Sequence, residues 1–213
     1  MAALGLVMSA TSILTAPAAG ANGNTVITAL PYTISGPGTY ILKSNLSYPA
    51  TSTKIPPAIT VAPVAAGAVI LDLKGFTLNG PGLFGSDSLI AITGDGSTAH
   101  PVTIQNGTLI GGAIGINVSS TYGVLIKNVT LGTAVNGIDF SGVGNSAVNG
   151  CKFVGPYIDG GDGIIDRNSS GGNSYNNDTF SAIEQPVSFI NDFNGNVTLS
   201  LQPTVVKALA TNP

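Results

Sequence analysis

Five short segments of the chain are versions of one another, and this internal repeat constrains the fold more than any other feature. The copies are LDLKGFTLNG (71–80), VTIQNGTLIG (102–111), VLIKNVTLGT (124–133), SAVNGCKFVG (146–155) and NSYNNDTFSA (173–182). Each copy has one slot that holds Gly or Asn, and these slots are 31, 22, 22 and 27 residues apart. The slot residues are Gly75, Asn106, Asn128, Gly150 and Asn177. A period near 22 residues is too short for most helical repeats and is typical of a β-solenoid.

Within each copy, apolar and polar residues alternate on both sides of the slot, as in two β-strands that meet at a corner. The residues predicted to point inward in the first and third copies are Leu71, Leu73, Phe76, Leu78, Val124, Ile126, Val129 and Leu131. A sharp corner between strands favours a residue that tolerates positive φ. Gly and Asn do so at the lowest steric cost, which explains why only they fill the slot.

A second set of similar segments lies between the copies and predicts one further strand for each repeat. These segments are LIAI (89–92), GINV (115–118), GIDF (137–140), GIID (163–166) and VSFI (187–190). Three strands per coil of about 22 residues, with Gly, Asn, Ser and Thr at the corners, predict an all-β, single-domain, right-handed parallel β-helix.

In such a helix, equivalent residues of successive coils stack in columns about 4.8 Å apart. The predicted inward column is Phe76, Gly107, Val129, Cys151 and Asp178, in which only Asp178 is out of character. Two predicted outward columns are Thr77, Thr108, Thr130, Lys152, Thr179 and Lys74, Gln105, Lys127, Asn149, Asn176. Stacked threonines suit an exposed sheet face. They also suit ice binding, but the charged and irregular second column disfavours that alternative.

The length of 213 residues and the even composition favour one elongated domain. We expect this domain to span residues 22–202, with residues 28–48 as its N-terminal cap and residues 203–213 as a C-terminal tail. Residues 1–21 resemble the apolar part of a secretory signal peptide, with Ala19-Gly20-Ala21 as a cleavage site of the small-x-small type. They therefore predict secretion to the extracellular space or the cell surface, without stable membrane insertion.

Charge and the rarest side chains exclude several classes of function. Seven basic and ten acidic residues give a net charge of -3, and no basic cluster exists, so nucleic acid is not an expected partner. One cysteine, Cys151, leaves no disulfide framework and no zinc cluster. One histidine, His100, disfavours serine and cysteine triads and histidine metal sites.

The succession ALPYTISGPGTYIL, then VILDLKGFTLNGPG, then coils with Gly-Ile and Asn-x-Thr resembles the bacterial secreted β-helix proteins of the pectate-lyase-like superfamily. The resemblance covers about residues 28 to 202. It implies the fold and an association with polysaccharides, but no single activity, because the superfamily contains lyases, hydrolases, tailspikes and adhesins. The polygalacturonase-like motifs Asn-Thr-Asp, Asp-Asp, Gly-His-Gly and Arg-Ile-Lys are absent from the sequence.

The segment YIDGGDGIIDRNSSGG (157–172) is the one dense group of acidic residues. Its simplest interpretation is a turn in which Asp and Gly serve the backbone geometry. Calcium binding is a second interpretation, with Asp159, Asp162 and Asp166 as candidate ligands. Catalysis is a third, and its candidate residues are Asp139, Asp162, Asp166 and Arg167. If GIDF and GIID stack as aligned, Asp139 faces outward beside Ile165, whereas the pattern leaves open whether Asp166 faces inward or outward.

Two functions follow as hypotheses. In the first, the chain is a secreted non-catalytic β-helix module for surface attachment, carbohydrate recognition or structural assembly, with a polysaccharide or a second copy as its partner. In the second, it is a small polysaccharide lyase or glycoside hydrolase that acts on acidic polysaccharide through residues 139 to 167. The absent catalytic motifs favour the first hypothesis, and the acidic cluster keeps the second open.

Overall fold

The computed structural model describes residues 23–48, 56–62, 65–80, 88–96, 100–133, 135–155, 161–168, 171–181, 185–190 and 198–201. These residues form eighteen β-strands and no helix. The first nine are β1 (Thr25–Ile27), β2 (Tyr32–Ile34), β3 (Gly38–Leu42), β4 (Leu46–Ser47), β5 (Ile59–Val61), β6 (Val69–Asp72), β7 (Thr77–Asn79), β8 (Ser88–Thr93) and β9 (Val102–Ile110). The others are β10 (Ile114–Ser119), β11 (Val124–Gly132), β12 (Asn136–Ser141), β13 (Ala147–Asn149), β14 (Lys152–Val154), β15 (Asp162–Arg167), β16 (Ser174–Ser181), β17 (Gln185–Ile190) and β18 (Thr198–Leu201).

The strands form two sheets, and the pairs between described strands are parallel. The large sheet has eleven strands, with the order β1-β3-β6-β9-β11-β13-β16-β14 and with β4, β7 and β18 paired beside this path. The small sheet has seven strands, in the order β17-β15-β12-β10-β8-β5-β2. Each strand thus pairs with the strand one repeat further along the chain. The fold is all-β with long parallel sheets, which is consistent with a β-helix.

The predicted corner residues have the conformation that the sequence pattern requires. All five lie at positive φ, with values of 82° for Gly75, 58° for Asn106, 54° for Asn128, 66° for Gly150 and 57° for Asn177. The predicted positive φ in every copy is therefore confirmed. Two separate strands flank the slot at Gly75 and Gly150, whereas one continuous strand, β9, β11 or β16, passes through it in the other three copies.

The registers confirm the outward threonine column. Thr77 pairs with Thr108, Thr108 with Thr130, Thr130 with Lys152, and Lys152 with Thr179. The last segment of the second set, VSFI, is shifted by one residue. The sequence alignment places Ser188 opposite Ile164, but in the structure Val187 pairs with Ile164.

The first corner differs from the prediction. Four residues, 73 to 76, separate Asp72 from Thr77, whereas two residues separate Gln105 from Thr108. Asp72 therefore pairs with Gln105, and the outward column begins with Asp72 rather than with Lys74. The longer corner pushes Leu73 into the core beside Gly107, where a Cβ atom would lie 2.3 Å from the Cβ of Leu73. Gly107 leaves the space that the extra residues of the preceding corner need.

The core is a ladder of apolar side chains between the two sheets. Of the eight residues predicted to point inward, seven are at most 1% exposed, and Phe76 is half-buried against them. One inward column is Leu109, Leu131, Phe153 and Phe180. Its two aromatic rings stack with centroids 4.6 Å apart and planes 6° from parallel. The predicted column of Val129, Cys151 and Asp178 is buried as well.

Two glycines of the second set leave room for this column. A Cβ on Gly115 would lie 2.8 Å from Leu131, and a Cβ on Gly137 would lie 2.6 Å from the ring of Phe153. The Gly-Ile pair is therefore a packing requirement at both positions. The missing Cβ of the glycine leaves space for a large side chain of the inward column, and the isoleucine that follows packs in the core.

Residues 28–48 contribute strands to both sheets, since β2 pairs with β5 and β3 pairs with β6. The predicted cap thus continues the pattern of the repeats. Strand β5 was not predicted from the sequence. Residues 1–21 and 203–213 lie outside the described residues, and so does Asp159.

Candidate functional site

Asp139 and Arg167 form an ion pair on the outer face of the small sheet. Asp139 lies between the inward residues Ile138 and Phe140 on β12, and Arg167 ends the neighbouring strand β15. The Nε of Arg167 donates to Oδ1 of Asp139 at 3.0 Å, and its Nη2 donates to Oδ2. Because the guanidinium binds both oxygens, the carboxylate is neutralised by the chain itself.

Asp166 faces the interior, which settles the orientation that the sequence left open. It pairs with Phe140 across the small sheet and is 0% exposed. Its Oδ2 accepts hydrogen bonds from the hydroxyl of Tyr175 and from Nδ2 of Asn173, the latter at 3.1 Å. Asn173 also accepts from the backbone N–H of Ser146 at 3.0 Å. Asp166 therefore belongs to a buried polar network that joins successive repeats.

Asp162 lies at the start of β15, where its side chain is 8% exposed and its backbone N–H donates to Oδ1 of Asn136 at 3.3 Å. The described candidates are thus separated: Asp139 and Arg167 lie together on the outer face, Asp166 lies in the core, and Asp162 lies at a strand end. Among the described residues, no group of three or more His, Cys, Asp or Glu side chains could hold a metal ion.

Asp178 and Cys151 form a second buried polar pair, in the inward column after the corner. The backbone N–H of Cys151 donates to Oδ1 of Asp178 at 2.8 Å. Burial raises the pKa of Asp178 to about 6, although the bond from Cys151 opposes this shift. Burial raises the pKa of the Cys151 thiol to about 12. Cys151 is therefore a neutral core residue, as its inward slot predicts.

Asp72 is held by four donors at the first corner. Its Oδ1 accepts from the backbone N–H of Lys74 at 2.9 Å and from Asn106 at 3.3 Å. Its Oδ2 accepts from Gln105 at 2.9 Å and lies 3.1 Å from Nζ of Lys74. Burial tends to raise the pKa of this carboxyl group, but the donors outweigh burial and keep the pKa below its usual value. The sequence pattern missed this cluster, because it assigned the position to Lys74.

The outer face of the large sheet carries two lysines that form no ion pair with a described residue. Lys127 lies between Gln105 and Asn149 in its column, and Lys152 lies beside Thr130 in the threonine column. Neither lysine has a carboxylate partner within the described part of the chain. The chain as a whole is negatively charged, yet this face combines amides, hydroxyl groups and ammonium groups.

Comparison of the chain with protein-family models, with curated proteins and with solved structures found no match. The resemblance to the pectate-lyase-like superfamily therefore rests on the quoted residues and on the parallel fold. Within the residues that the structure describes, no helix has the length and apolar character needed to cross a membrane.

Proposed function

We propose that the chain is a right-handed parallel β-helix with three strands in each coil of about 22 residues. Two observations support this proposal. The chain runs through the large sheet before and after each corner, and then through the small sheet, before it returns. Successive strands pair in parallel, as Val102 does with Val124 and Ile116 with Ile138.

Its function is the recognition of polysaccharide outside the cell, without catalysis, by the outer face of the large sheet. The observation that carries this proposal is a pair of lysines, Lys127 and Lys152, that lie among amides and threonines and have no carboxylate partner in the described ranges. Amide and hydroxyl groups exchange hydrogen bonds with sugar hydroxyls, and ammonium groups attract carboxylates or sulfates. An acidic polysaccharide is the class of partner that fits this chemistry.

Binding is tested by calorimetry of the full chain against a neutral and an acidic polysaccharide at low salt. The double variant Lys127→Gln, Lys152→Gln is expected to bind the acidic polymer about tenfold more weakly, because each exposed ion pair contributes about 0.2–1 kcal/mol. Lys43→Gln is the matched control, since Lys43 is exposed outside the two outward columns. An affinity that this double variant leaves unchanged would exclude the lysine face as the binding surface.

The competing function is a lyase or hydrolase that uses the cluster from residue 139 to residue 167. The Asp139–Arg167 pair favours it, because it places a carboxylate and a cation together on an outer face. The same pair also opposes it, since both groups are occupied by each other. Incubation with acidic polysaccharide, with and without Ca²⁺, and detection of unsaturated or reducing products distinguishes the two functions. If the parent protein turns over the polysaccharide and Arg167→Ala does not, the binding proposal is wrong and the catalytic function takes its place.

A further inference from the structure

Asp178 lies in an inward column of the core whose other side chains are apolar or weakly polar. The preceding members of the column are Val129 and Cys151, each 1% exposed, and Asp178 itself is 0% exposed. Its strand, β16, pairs on one side with β13 and β14 and on the other with β18. The carboxyl group therefore lies at the junction between the last two described strands of the large sheet.

Only one of the two oxygens of this carboxyl group has a hydrogen-bond partner among the described residues. Oδ1 accepts the N–H of Cys151, but Oδ2 has no hydrogen-bond partner among the described residues. A protonated carboxyl group tolerates this environment better than a carboxylate, because an unpaired buried charge costs several kcal/mol. The raised pKa of about 6 agrees with this geometry.

Among the residues that the structure describes, the elements around Asp178 supply no cation. The buried titratable groups on the neighbouring described strands are the thiol of Cys151, the hydroxyl of Tyr175 on the same strand, and Asp166, which accepts a hydrogen bond from Tyr175. The sequences of β17 and β18 contain no titratable residue. Lys152 is on the outer face, opposite Thr179. Within the described part of the chain, an ionised Asp178 is therefore stabilised by one N–H group, and water supplies any further hydrogen bond.

Strand β18 is the element whose separation most directly admits that water. It pairs with β16 through four residues, and the register shifts between Asn176 and Asp178, where Asp178 lies opposite Leu201. The pairing is thus already irregular at the carboxyl group. On the other side of β16, the corner of β13 and β14 is fixed by the ladders to β11.

We propose that Asp178 is a proton-controlled latch for the C-terminal strand: β18 stays paired with β16 while the carboxyl group is protonated, and it detaches far more often once the group ionises. This device is independent of the proposed polysaccharide face. It makes the end of the large sheet sensitive to mild acidification, while the earlier repeats remain unaffected.

Hydrogen exchange of the full chain, followed by mass spectrometry between pH 4 and pH 8 and corrected for intrinsic exchange, tests the latch. Opening is expected to become roughly 100-fold more frequent in β18 as pH rises from about 4 to about 6, and then to level off. Strands β9 and β11 should show no such change. Uniform loss of protection in all strands, or pH-independent protection of β18, would overturn the proposal.

The variant Asp178→Asn isolates the carboxyl group, because its amide oxygen can still accept the N–H of Cys151 and it does not ionise. Protection of β18 should then be independent of pH. Asp166→Asn is the matched control, since Asp166 is equally buried but has two side-chain donors. If the protection of β18 in Asp178→Asn depends on pH as it does in the parent, Asp178 is not the latch. If that variant does not fold, the contrast between β18 and β9 in the parent still decides.

Discussion

Gly137 is the position at which a single methyl group should test the packing of the repeat most severely. A Cβ there would lie 2.5 Å from the carbonyl oxygen of Gly163 and 2.6 Å from Cδ1 of Phe153. The backbone of Gly137 is not at positive φ, so alanine can adopt it and the penalty is purely steric. The oxygen belongs to the neighbouring strand and cannot move without displacing the sheet.

Overpacking of a well-packed core costs about 1–3 kcal/mol, and a clash with fixed backbone places Gly137→Ala at the upper end. We expect a loss of about 3 kcal/mol in the free energy of unfolding. For a domain of this size, each 1 kcal/mol lowers the melting temperature by about 2–4 °C. Thermal unfolding monitored by circular dichroism should therefore show a decrease of about 6–12 °C.

Two further variants show whether the reasoning is right. Gly36→Ala is the control, because a Cβ there has no neighbour within 4 Å, and it should change stability little. Phe153→Leu in the Gly137→Ala background should restore the part of the loss that comes from the ring, but not the part that comes from the carbonyl oxygen. A melting temperature for Gly137→Ala within about 2 °C of the parent would refute the close packing of this glycine.

Three more predictions concern other groups. The pKa of Asp178 is raised when the protein folds, so its stabilising effect is present in acid and is lost as pH rises through about 6. Above pH 6, denaturant titrations should therefore show Asp178→Asn to be more stable than the parent, by up to about 3 kcal/mol. Equal stabilities at pH 8 would contradict this. Arg167→Ala should destabilise by about 2 kcal/mol in the same titration, because it leaves the shielded Asp139 unpaired, and Asp139→Ala in addition should recover part of this loss. Asn128→Ala should cost about 1 kcal/mol, since its φ is 54°, whereas Asn128→Gly should be nearly neutral in thermal unfolding.

The period and the corners were predictable from the sequence, because they depend on local rules. Alternation determines which side chains face inward, and only Gly and Asn adopt the corner conformation cheaply. The first corner was predicted wrongly for a non-local reason. Nothing in residues 71–80 shows that two extra residues enter the corner; that depends on the pairing of Asp72 with Gln105 and on the space at Gly107.

The acidic residues were less predictable, because their role depends on which face of a strand they occupy. Asp139 was correctly placed outward, beside Ile165. The inward orientation of Asp166 depends on Tyr175 and Asn173, which follow it in the next repeat and supply its donors. The pattern of one strand cannot show that the hydrogen-bond donors for its buried carboxyl group lie in the segment that follows it. Asp178 was recognised as out of character, but its missing partner is visible only in three dimensions.

Among the described residues, the two carboxyl groups that are fully buried, Asp166 and Asp178, both lie in the last third of the chain. In repeat proteins, stability is approximately the sum of each repeat and its contacts with its neighbours. The inward column through Leu71, Ile104 and Ile126 is aliphatic in the middle repeats and has a tyrosine at each end, Tyr40 and Tyr175. Because apolar contacts are insensitive to pH and the buried carboxyl group of Asp178 is not, the repeats after Cys151 should respond to pH on their own. The latch at Asp178 is then one consequence of a fully buried carboxyl group in the last described repeats.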